Sequence, residues 1–420
     1  MYIYHRFLTF ISRRMRHFFV TTPIFYVNAP PHLGHLYTAL IADASYRWNL
    51  FECGGTCLFV SGTDEHGTKV YKAAKNANVD VKSYCDRISK TFVDLLDRFN
   101  IHPTNFVRTT DKTHQLAVQY VWKNGLLSKK IHQGWYSIID ECFYNEEDVE
   151  ELINNNNSSK ISKITRSPVE WVQEENYVFT LSQFLEPIKK WLMRDGTIYP
   201  KNYVHPALLC LNEVNEVSVS RDSNRVLWGI GVPDDDSQNI YVWLDALISY
   251  LSVTGFPNKK NIYWPPSCQF IGKDILRFHV KLWPAVLMAL NLDLPKRIFV
   301  HGHWLINNIK LRFSIMMSKS LGNVVDPIAA AGDLTFEGLR YFLLRQGTPN
   351  DRANFDILTA KRVVMSDLSN NIGNLLQRST VKKMNPKQAY PSFDQAILAY
   401  KFTDGLIFIR KLNMLHGIIF

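Results

Sequence analysis

Two imidazoles three residues apart, His32 and His35, flank Leu33 and Gly34 just after an apolar run that ends in Pro30-Pro31. A strand, a tight turn and a helix start in that order suit a bound phosphate. The first backbone N–H groups of a helix lack partners, and the helix dipole favours an anion there. Both rings can reach the same phosphate oxygens, and Gly34 lets a flat ring lie against bare backbone. The plain alternative is an exposed helix start that happens to carry two histidines. Far along the chain, Met317-Ser318-Lys319-Ser320-Leu321-Gly322 sets a lysine on a Ser- and Gly-rich loop, where a cation can meet the charge that builds on a leaving pyrophosphate. Taken alone, that lysine is a solvated loop residue. No Gly-x-x-x-x-Gly-Lys-Ser/Thr and no Gly-x-Gly-x-x-Gly occurs, so the P-loop and dinucleotide fingerprints lose support.

The elements that must position these groups alternate. Residues 19–27 read as a buried strand, 36–51 as a helix, 57–60 as a short apolar strand ending in Ser61-Gly62-Thr63-Asp64-Glu65-His66-Gly67, and 82–99 as a further helix. Such β-α-β-α order predicts an α/β fold with a parallel sheet, and ligands of such sheets bind at the carboxyl ends of the strands. Both His32-Leu33-Gly34-His35 and Asp64-Glu65-His66 fall at such ends. Between about 126 and 238 the pattern changes to aromatics and short strands around Asn154-Asn155-Asn156-Asn157-Ser158-Ser159, which predicts an inserted domain with a flexible loop. Alternation resumes at Ile240 and runs through Cys268-Gln269-Phe270-Ile271-Gly272 and Ile298-Phe299-Val300-His301, so one sheet is split by an insertion. From about 360 the chain looks helical, and it stops inside the apolar run Gly405-Leu406-Ile407-Phe408-Ile409, an expectation of an incomplete helical domain.

The 420 residues allow two or three domains, and the +10 formal charge points to a polyanionic partner. No run is long enough to span a membrane, so no membrane partner is expected. Six scattered cysteines form no Cys-x-x-Cys pair; Cys53 and Cys57 read as buried thiols in a reducing compartment. Residues 1–18 interleave Arg6, Arg13, Arg14 and Arg16 with apolar side chains, and the first acidic residue is Asp43. That is the composition of a mitochondrial transit peptide; the alternative is a basic arm for nucleic acid.

His32-Leu33-Gly34-His35 paired with Met317-Ser318-Lys319-Ser320 resembles the double signature of class I aminoacyl-tRNA synthetases. Thr22-Pro23-Ile24-Phe25-Tyr26-Val27-Asn28, Gly62-Thr63-Asp64-Glu65-His66-Gly67, Tyr241-Val242-Trp243-Leu244-Asp245-Ala246, Ile271-Gly272-Lys273-Asp274-Ile275-Leu276-Arg277-Phe278-His279 and Trp283-Pro284-Ala285 are similar to methionyl-tRNA synthetases, of the mitochondrial type given the leader. The resemblance implies a Rossmann-like catalytic domain in two parts, 19–125 and 239–300, around an inserted domain at 126–238. A connecting segment at 301–359 and a truncated helical anticodon-binding domain at 360–420 follow. It implies activation of L-methionine by ATP with Mg²⁺, then transfer to tRNA(Met) in the mitochondrial matrix, by a monomer. His32, His35 and Lys319 are then the groups that stabilise the charged transition state, without covalent chemistry. Gly34, Gly272, Asp274 and Lys310 serve the nucleotide, and Asp274 accepts from ribose hydroxyls. Lys273 either approaches the phosphates or makes a structural ion pair. Ile24, Tyr26, Trp243, Tyr250, Phe278 and His279 match the amino-acid pocket, whose aromatic walls suit a polarisable sulfur, and Asp64 matches the carboxylate for the ammonium group. Without the resemblance, Trp243 and Phe278 would read as core packing and Asp64 as a helix cap. Asn370, Asn374 and Arg378, spaced i, i+4, i+8, are predicted to share one helix face and to read unstacked anticodon bases; a solvated polar row is the alternative.

The chain departs from the family in three places. Ser137 and Asp140 stand where many relatives have cysteines of a zinc knuckle, so no structural zinc is expected. Gly231 stands where proline is usual, which loosens a loop. Met316 takes the place of the first lysine of Lys-Met-Ser-Lys-Ser, and removing Leu311-Arg312-Phe313-Ser314-Ile315-Met316 would join Lys310 to Met317 and restore the motif. Those six residues read as a retained intron fragment or gene-model error; if genuine, they displace Lys310 and slow adenylate formation. The rivals are another class I synthetase, or a truncated tRNA-binding derivative without activity.

Overall fold

The computed structural model describes residues 17–53, 56–125, 127–139, 141–144, 146–154, 157–163, 166–211, 216–258, 262–306, 325–349, 353–384 and 386–389. The chain divides into two compact units. The first comprises residues 1–30, 42–94 and 102–300, the second 31–41, 95–101 and 301–420.

The first unit is built on a parallel sheet. Its strands are β1 (Phe18–Thr21), β2 (Phe25–Tyr26), β3 (Cys57–Asp64), β4 (Asn105–Arg108) and, from beyond the antiparallel region, three later strands, Ile198–Tyr199, Cys268–Gly272 and Ile298–His301. Strand β1 lies between β3 and Cys268–Gly272, pairing in parallel with both, so chain from before and after the insertion shares one sheet, as the split pattern predicted. The sheet interior is apolar: Phe19, Val20, Phe59, Phe270, Ile271 and Phe299 are fully buried, the near-continuous hydrophobic strands expected where both faces are covered.

Two sequence expectations need correction. Residues 19–27 are not one strand. Pro23 has no N–H to give to a ladder, and pairing stops at Thr21. It resumes at Phe25 and Tyr26 against Thr63 and Asp64, with the register slipped by one residue. A one-residue slip re-aims side chains, and it lays Ile24 on Gly62, where an added Cβ would stand 2.9 Å from Ile24 Cγ2. Strand β3 also runs four residues past the expected end, because Ser61, Thr63 and Asp64 are polar yet buried and paired.

The antiparallel region follows β4. Strands β5 (Leu127–Ser137) and β6 (Cys142–Tyr144) pair with each other, and β5 pairs along its length with Glu170–Thr180. The asparagine-rich run expected as a loop is mostly hairpin: Val149–Asn154 pairs with Asn157–Ser162. Residues 155–156 lie outside the described set.

In the second unit Trp304–Ile306 pairs in parallel with Ala353–Phe355. Helices Pro327–Leu334, Phe336–Gln346 and Ile357–Val364 are capped by side chains of Asp326, Thr335 and Asp356, each accepting from a first-turn amide. Trp304, Phe342 and Phe355 form the core, with Tyr37 edge-on to Trp304 at 5.5 Å. Among the described residues no helix is long and apolar enough to cross a membrane.

Candidate active site

Tyr26 and Asp64 are direct partners across β2 and β3 at the carboxyl end of the sheet, where a parallel fold places its ligands. The loop from Asp64 to Gly67 is held at nearly every residue. The Glu65 amide donates to Thr109 Oγ1 (2.9 Å), its carbonyl accepts Trp228 Nε1 (2.6 Å), and its buried carboxylate accepts Arg108 through Nε (2.6 Å) and Nη2 (2.9 Å). The Gly67 amide donates to Trp228 O (2.8 Å). His66 Nδ1 lies 2.7 Å from Asp245 Oδ2, and His114 Nε2 lies 2.6 Å from Asp245 Oδ1. Burial alone would push the Asp245 carboxyl up, but the charge of His66 and the bonds from both imidazoles outweigh it and bring it down to about 2. An ionised carboxylate only accepts, so the protons sit on His66 Nδ1 and His114 Nε2.

Asp64 is the exception in this clamped loop. It is 9% exposed, and among the described residues its Oδ1 has no hydrogen-bond partner. Burial, then the charges of Asp245 and Glu141, push its carboxyl well above the usual range. A buried acceptor left unpaired costs about 1–3 kcal/mol and more when charged, so this oxygen awaits a cationic donor.

The aromatic residues come together as two pairs. Trp243 starts the Val242–Ser252 helix and stacks on Phe278 at 3.8 Å and 12°. Such a pair adds about 0.5–1.5 kcal/mol beyond area burial. Tyr250, two turns along the same helix, lies 2.8 Å from His279 Nε2. His279 Nδ1 is 3.0 Å from the Ile275 carbonyl, which can only accept. The Nδ1 therefore carries the proton, and Nε2 takes the Tyr250 O–H. Burial brings His279 down to about 4, so it is neutral at pH 7. Both ring nitrogens are used within the protein. Residues Phe278–Leu282 form a π-helical turn, a geometry frequent at functional sites. Gly272 ends its strand half-buried, and Asp274, in the following turn, is exposed.

In the second unit His32 and His35 stack at 3.8 Å. The Gly34 amide donates to His32 Nδ1 (3.1 Å) and the His32 amide to His35 Nδ1 (3.2 Å), so the rings cap the helix start themselves. Each Nδ1 accepts, which leaves each neutral ring its proton on Nε2, a donor suited to phosphate oxygens. A Cβ on Gly34 would stand 3.0 Å from His32 Cε1, which is why the position takes glycine. Thr38 donates to Gly34 O (3.1 Å), and its hydroxyl lies 2.9 Å from His301 Nε2. Lys310 and Lys319 lie outside the described residues.

The family profile described as tRNA synthetases class I (M) matches residues 18–160 and 150–380. The chain belongs to that family. It is 45% identical over 385 residues to the mitochondrial methionine–tRNA ligase of Homo sapiens and 44% identical to that of Mus musculus, each alignment covering 89% of this chain. The chain spans 64–65% of the length of these curated relatives. Among solved structures, a Mycobacterium tuberculosis methionyl-tRNA synthetase in complex with methionyl-adenylate superposes with a TM-score of 0.84 at 33% identity, covering 96% of this chain and 80% of that one.

Within this class I synthetase, Asn374 and Arg378 stand one helical turn apart on Asn374–Thr380, but Asn370 lies in the π-helical stretch Met365–Gly373. The single α-helix expected there is corrected: the i→i+5 bonding of a π-helix shifts the face on which Asn370 sits. All three side chains are exposed. Ser137 is fully buried and bonds Ser167 Oγ at 2.9 Å; Asp140 lies outside the described residues. Among the described residues no cluster of three or more His, Cys, Asp or Glu can hold an ion, and Cys57, Cys85, Cys142, Cys210 and Cys268 are not in disulfides. The sequence motifs include Asp245, His66, Trp228 and Glu141 without giving them a task, and His114 lies outside them. Glu141 carried no signal in the sequence, because its burial beside exposed Ile138 and Ile139 is visible only in the fold.

Proposed function

We propose that the chain is a methionine–tRNA ligase of mitochondria: it activates L-methionine with ATP and passes the methionyl group to the terminal ribose of tRNA(Met). The observation that carries this reading is the unfilled, buried Oδ1 of Asp64 in an otherwise clamped loop, in a unit that also holds the two aromatic pairs. An ammonium group fills such an acceptor, and a polarisable thioether suits aromatic walls. Trp243 and Phe278 on one side, and Tyr250 and neutral His279 on the other, would hold the side chain. Ile24 and Tyr26 would close the pocket.

In the first step a methionine carboxylate oxygen attacks the α-phosphorus of ATP, the bond to the bridging oxygen breaks, and pyrophosphate leaves with the electron pair. The Nε2–H groups of His32 and His35 and the helix start at Gly34 donate to phosphate oxygens as charge grows. Lys319, with Lys310, supplies positive charge to the pyrophosphate. Gly272 lets the adenosine approach backbone, and Asp274 accepts from the ribose hydroxyls. Mg²⁺ supplies further charge neutralisation. In the second step the terminal ribose hydroxyl attacks the methionyl carbonyl, loses its proton, and AMP leaves. Asn374 and Arg378, with Asn370 on its shifted face, would read anticodon bases.

A mitochondrial matrix location is supported by the names of the curated relatives and by the Arg-rich, acid-poor first 18 residues. The test is pyrophosphate exchange with a panel of amino acids, on the chain as given and with residues 311–316 deleted. Exchange that depends on methionine alone, and rises on deletion, is expected. Exchange driven by another amino acid rejects the specificity; tRNA binding with no exchange in either form makes the chain an inactive derivative.

A further inference from the structure

Glu141 does work that no recognised motif assigns. It follows the β5 turn with φ of 53°, a backbone region side chains rarely adopt, and it is 6% exposed while Ile138 and Ile139 in the same turn are 43% and 52% exposed. A turn that exposes two isoleucines and buries a carboxylate inverts the usual preference, so the carboxylate must gain enough inside to hold it there. Its two oxygens have separate partners. Oε2 accepts the Tyr26 hydroxyl at 2.8 Å, and Oε1 accepts the Lys69 amide at 3.1 Å.

The Lys69 amide belongs to the first turn of helix Thr68–Asn76. That helix has Gly67 at its cap position, with no side chain to bond and no acidic residue in its first turn. Glu141, 72 residues away in sequence, provides both the missing acceptor and the negative charge that a helix start favours. Gly67 makes the approach feasible: at φ 108° its added Cβ would stand 2.4 Å from Tyr26 Oη and 3.1 Å from Glu141 Oε1. The Tyr26 phenol has its proton committed to Glu141, and burial with that neighbouring charge pushes the phenol well above its ordinary range. Tyr26 therefore presents its ring as a fixed wall and cannot offer a proton to a ligand.

We infer that Glu141, delivered by the antiparallel insert, is a positioning residue for the amino-acid pocket: it locks Tyr26 and the start of the Thr68–Asn76 helix, on either side of the Asp64 loop, in the arrangement that receives the substrate amine. This rests on the reading of Tyr26 and Asp64 as methionine-binding groups. It also explains how the turn after β5 stays attached to Tyr26, by a carboxylate that reaches inward.

The experiment compares wild type with E141A, E141Q, Y26F and E141A/Y26F. Methionine-dependent pyrophosphate exchange is measured with methionine and ATP varied separately, alongside calorimetric methionine binding and thermal unfolding. E141A is expected to raise the methionine KM about tenfold, the loss of one charge-assisted bond from the preorganisation of the pocket. The KM for ATP and kcat are expected to change less than about twofold. In E141Q one amide oxygen can serve Tyr26 or Lys69 but not both, so part of the loss returns. The double variant is expected to be no worse than about the poorer single one, because both remove the same bond. If E141A does not fold, E141Q and Y26F carry the same comparison. An unchanged methionine KM in E141A, full additivity with Y26F, or equal losses for methionine and ATP overturns the inference while leaving the function intact. Wild-type chain that neither exchanges nor binds methionine overturns both.

Discussion

Asp64→Asn separates binding from stability because the two should move in opposite directions. The Asp64 carboxyl is raised by burial and by Asp245 and Glu141. A raised folded pKa means stability is fully present below the unfolded value near 4 and is lost as pH rises through the folded value. Ionising the group as pH rises therefore strains the unliganded fold. Asparagine keeps the shape, its oxygen can still take the His66 amide, and its NH₂ replaces the unpartnered Oδ1 in a region where two carboxylates favour a donor. Removing one buried, unsatisfied charged acceptor is expected to stabilise the chain by about 1–3 kcal/mol, and each kcal/mol is about 2–4 °C in Tm for domains of 150–250 residues. The gain should vanish in acid, where wild-type Asp64 takes up its proton. Methionine binding should suffer in the same variant: one charge-assisted bond is about 1.5–3 kcal/mol, or roughly 10- to 100-fold in the methionine KM. Scanning calorimetry from pH 5 to 8, with and without methionine, and exchange kinetics read both effects. A variant less stable than wild type at pH 8, or one that binds methionine as well as wild type, refutes the reasoning.

Asp245→Ala leaves the His66 and His114 donors without their buried acceptor and should cost about 2–6 kcal/mol in urea unfolding, with Asp245→Asn milder because its amide oxygen accepts from one of them. Since Asp245 is depressed to about 2 in the fold, its contribution of about 2–3 kcal/mol should be present above pH 4 and disappear between pH 4 and 2, so wild type and Asp245→Asn converge there. Gly67→Ala forces a side chain onto φ 108° and into Tyr26 Oη, and is expected to lower stability by about 1–3 kcal/mol and raise the methionine KM. Trp243→Ala removes half of the 3.8 Å stack; exchange kinetics should show a methionine KM up by about tenfold with the ATP KM unchanged, and Trp243→Phe should recover most of it.

The parallel sheet and its interruption were legible because buried strands write themselves as apolar runs and crossover helices as amphipathic ones. The register slip at Pro23 was not, because it depends on how β2 re-pairs with β3, a non-local event. The extension of β3 was hidden for a related reason: Ser61 and Thr63 look like a turn until their partners appear, Thr22 Oγ1 donating to Ser61 Oγ at 2.8 Å and Thr63 Oγ1 to Glu65 Oε1 at 2.8 Å. The site followed the same division. Trp243, Tyr250, Phe278 and His279 could be named from motif blocks, and they do come together in pairs. The residues that hold them and the Asp64 loop could not, since Trp228 meets Glu65 across 163 positions and His66 meets Asp245 across 179.

Charge acts on two scales in this chain, and they oppose each other. The net +10 favours the approach of polyanions such as tRNA and ATP, yet the same field repels a substrate amine. Salt screens that field beyond about 8 Å at physiological ionic strength, whereas buried groups are screened far less. The amine is therefore governed by its near neighbours, and there the balance is inverted: Asp64 is surrounded by the charges of Asp245, Glu141 and Glu65, each of which disfavours its ionisation. Arg108 occupies Glu65, the two histidines occupy Asp245, and Tyr26 with the Lys69 amide occupies Glu141. Each neighbouring carboxylate thus has donors within the protein, while among the described residues Asp64 Oδ1 has none. If the proposed function holds, a neutral isostere would leave this Asp64 oxygen without its donor, and discrimination in favour of an amine would come from the cost of that unpaired acceptor.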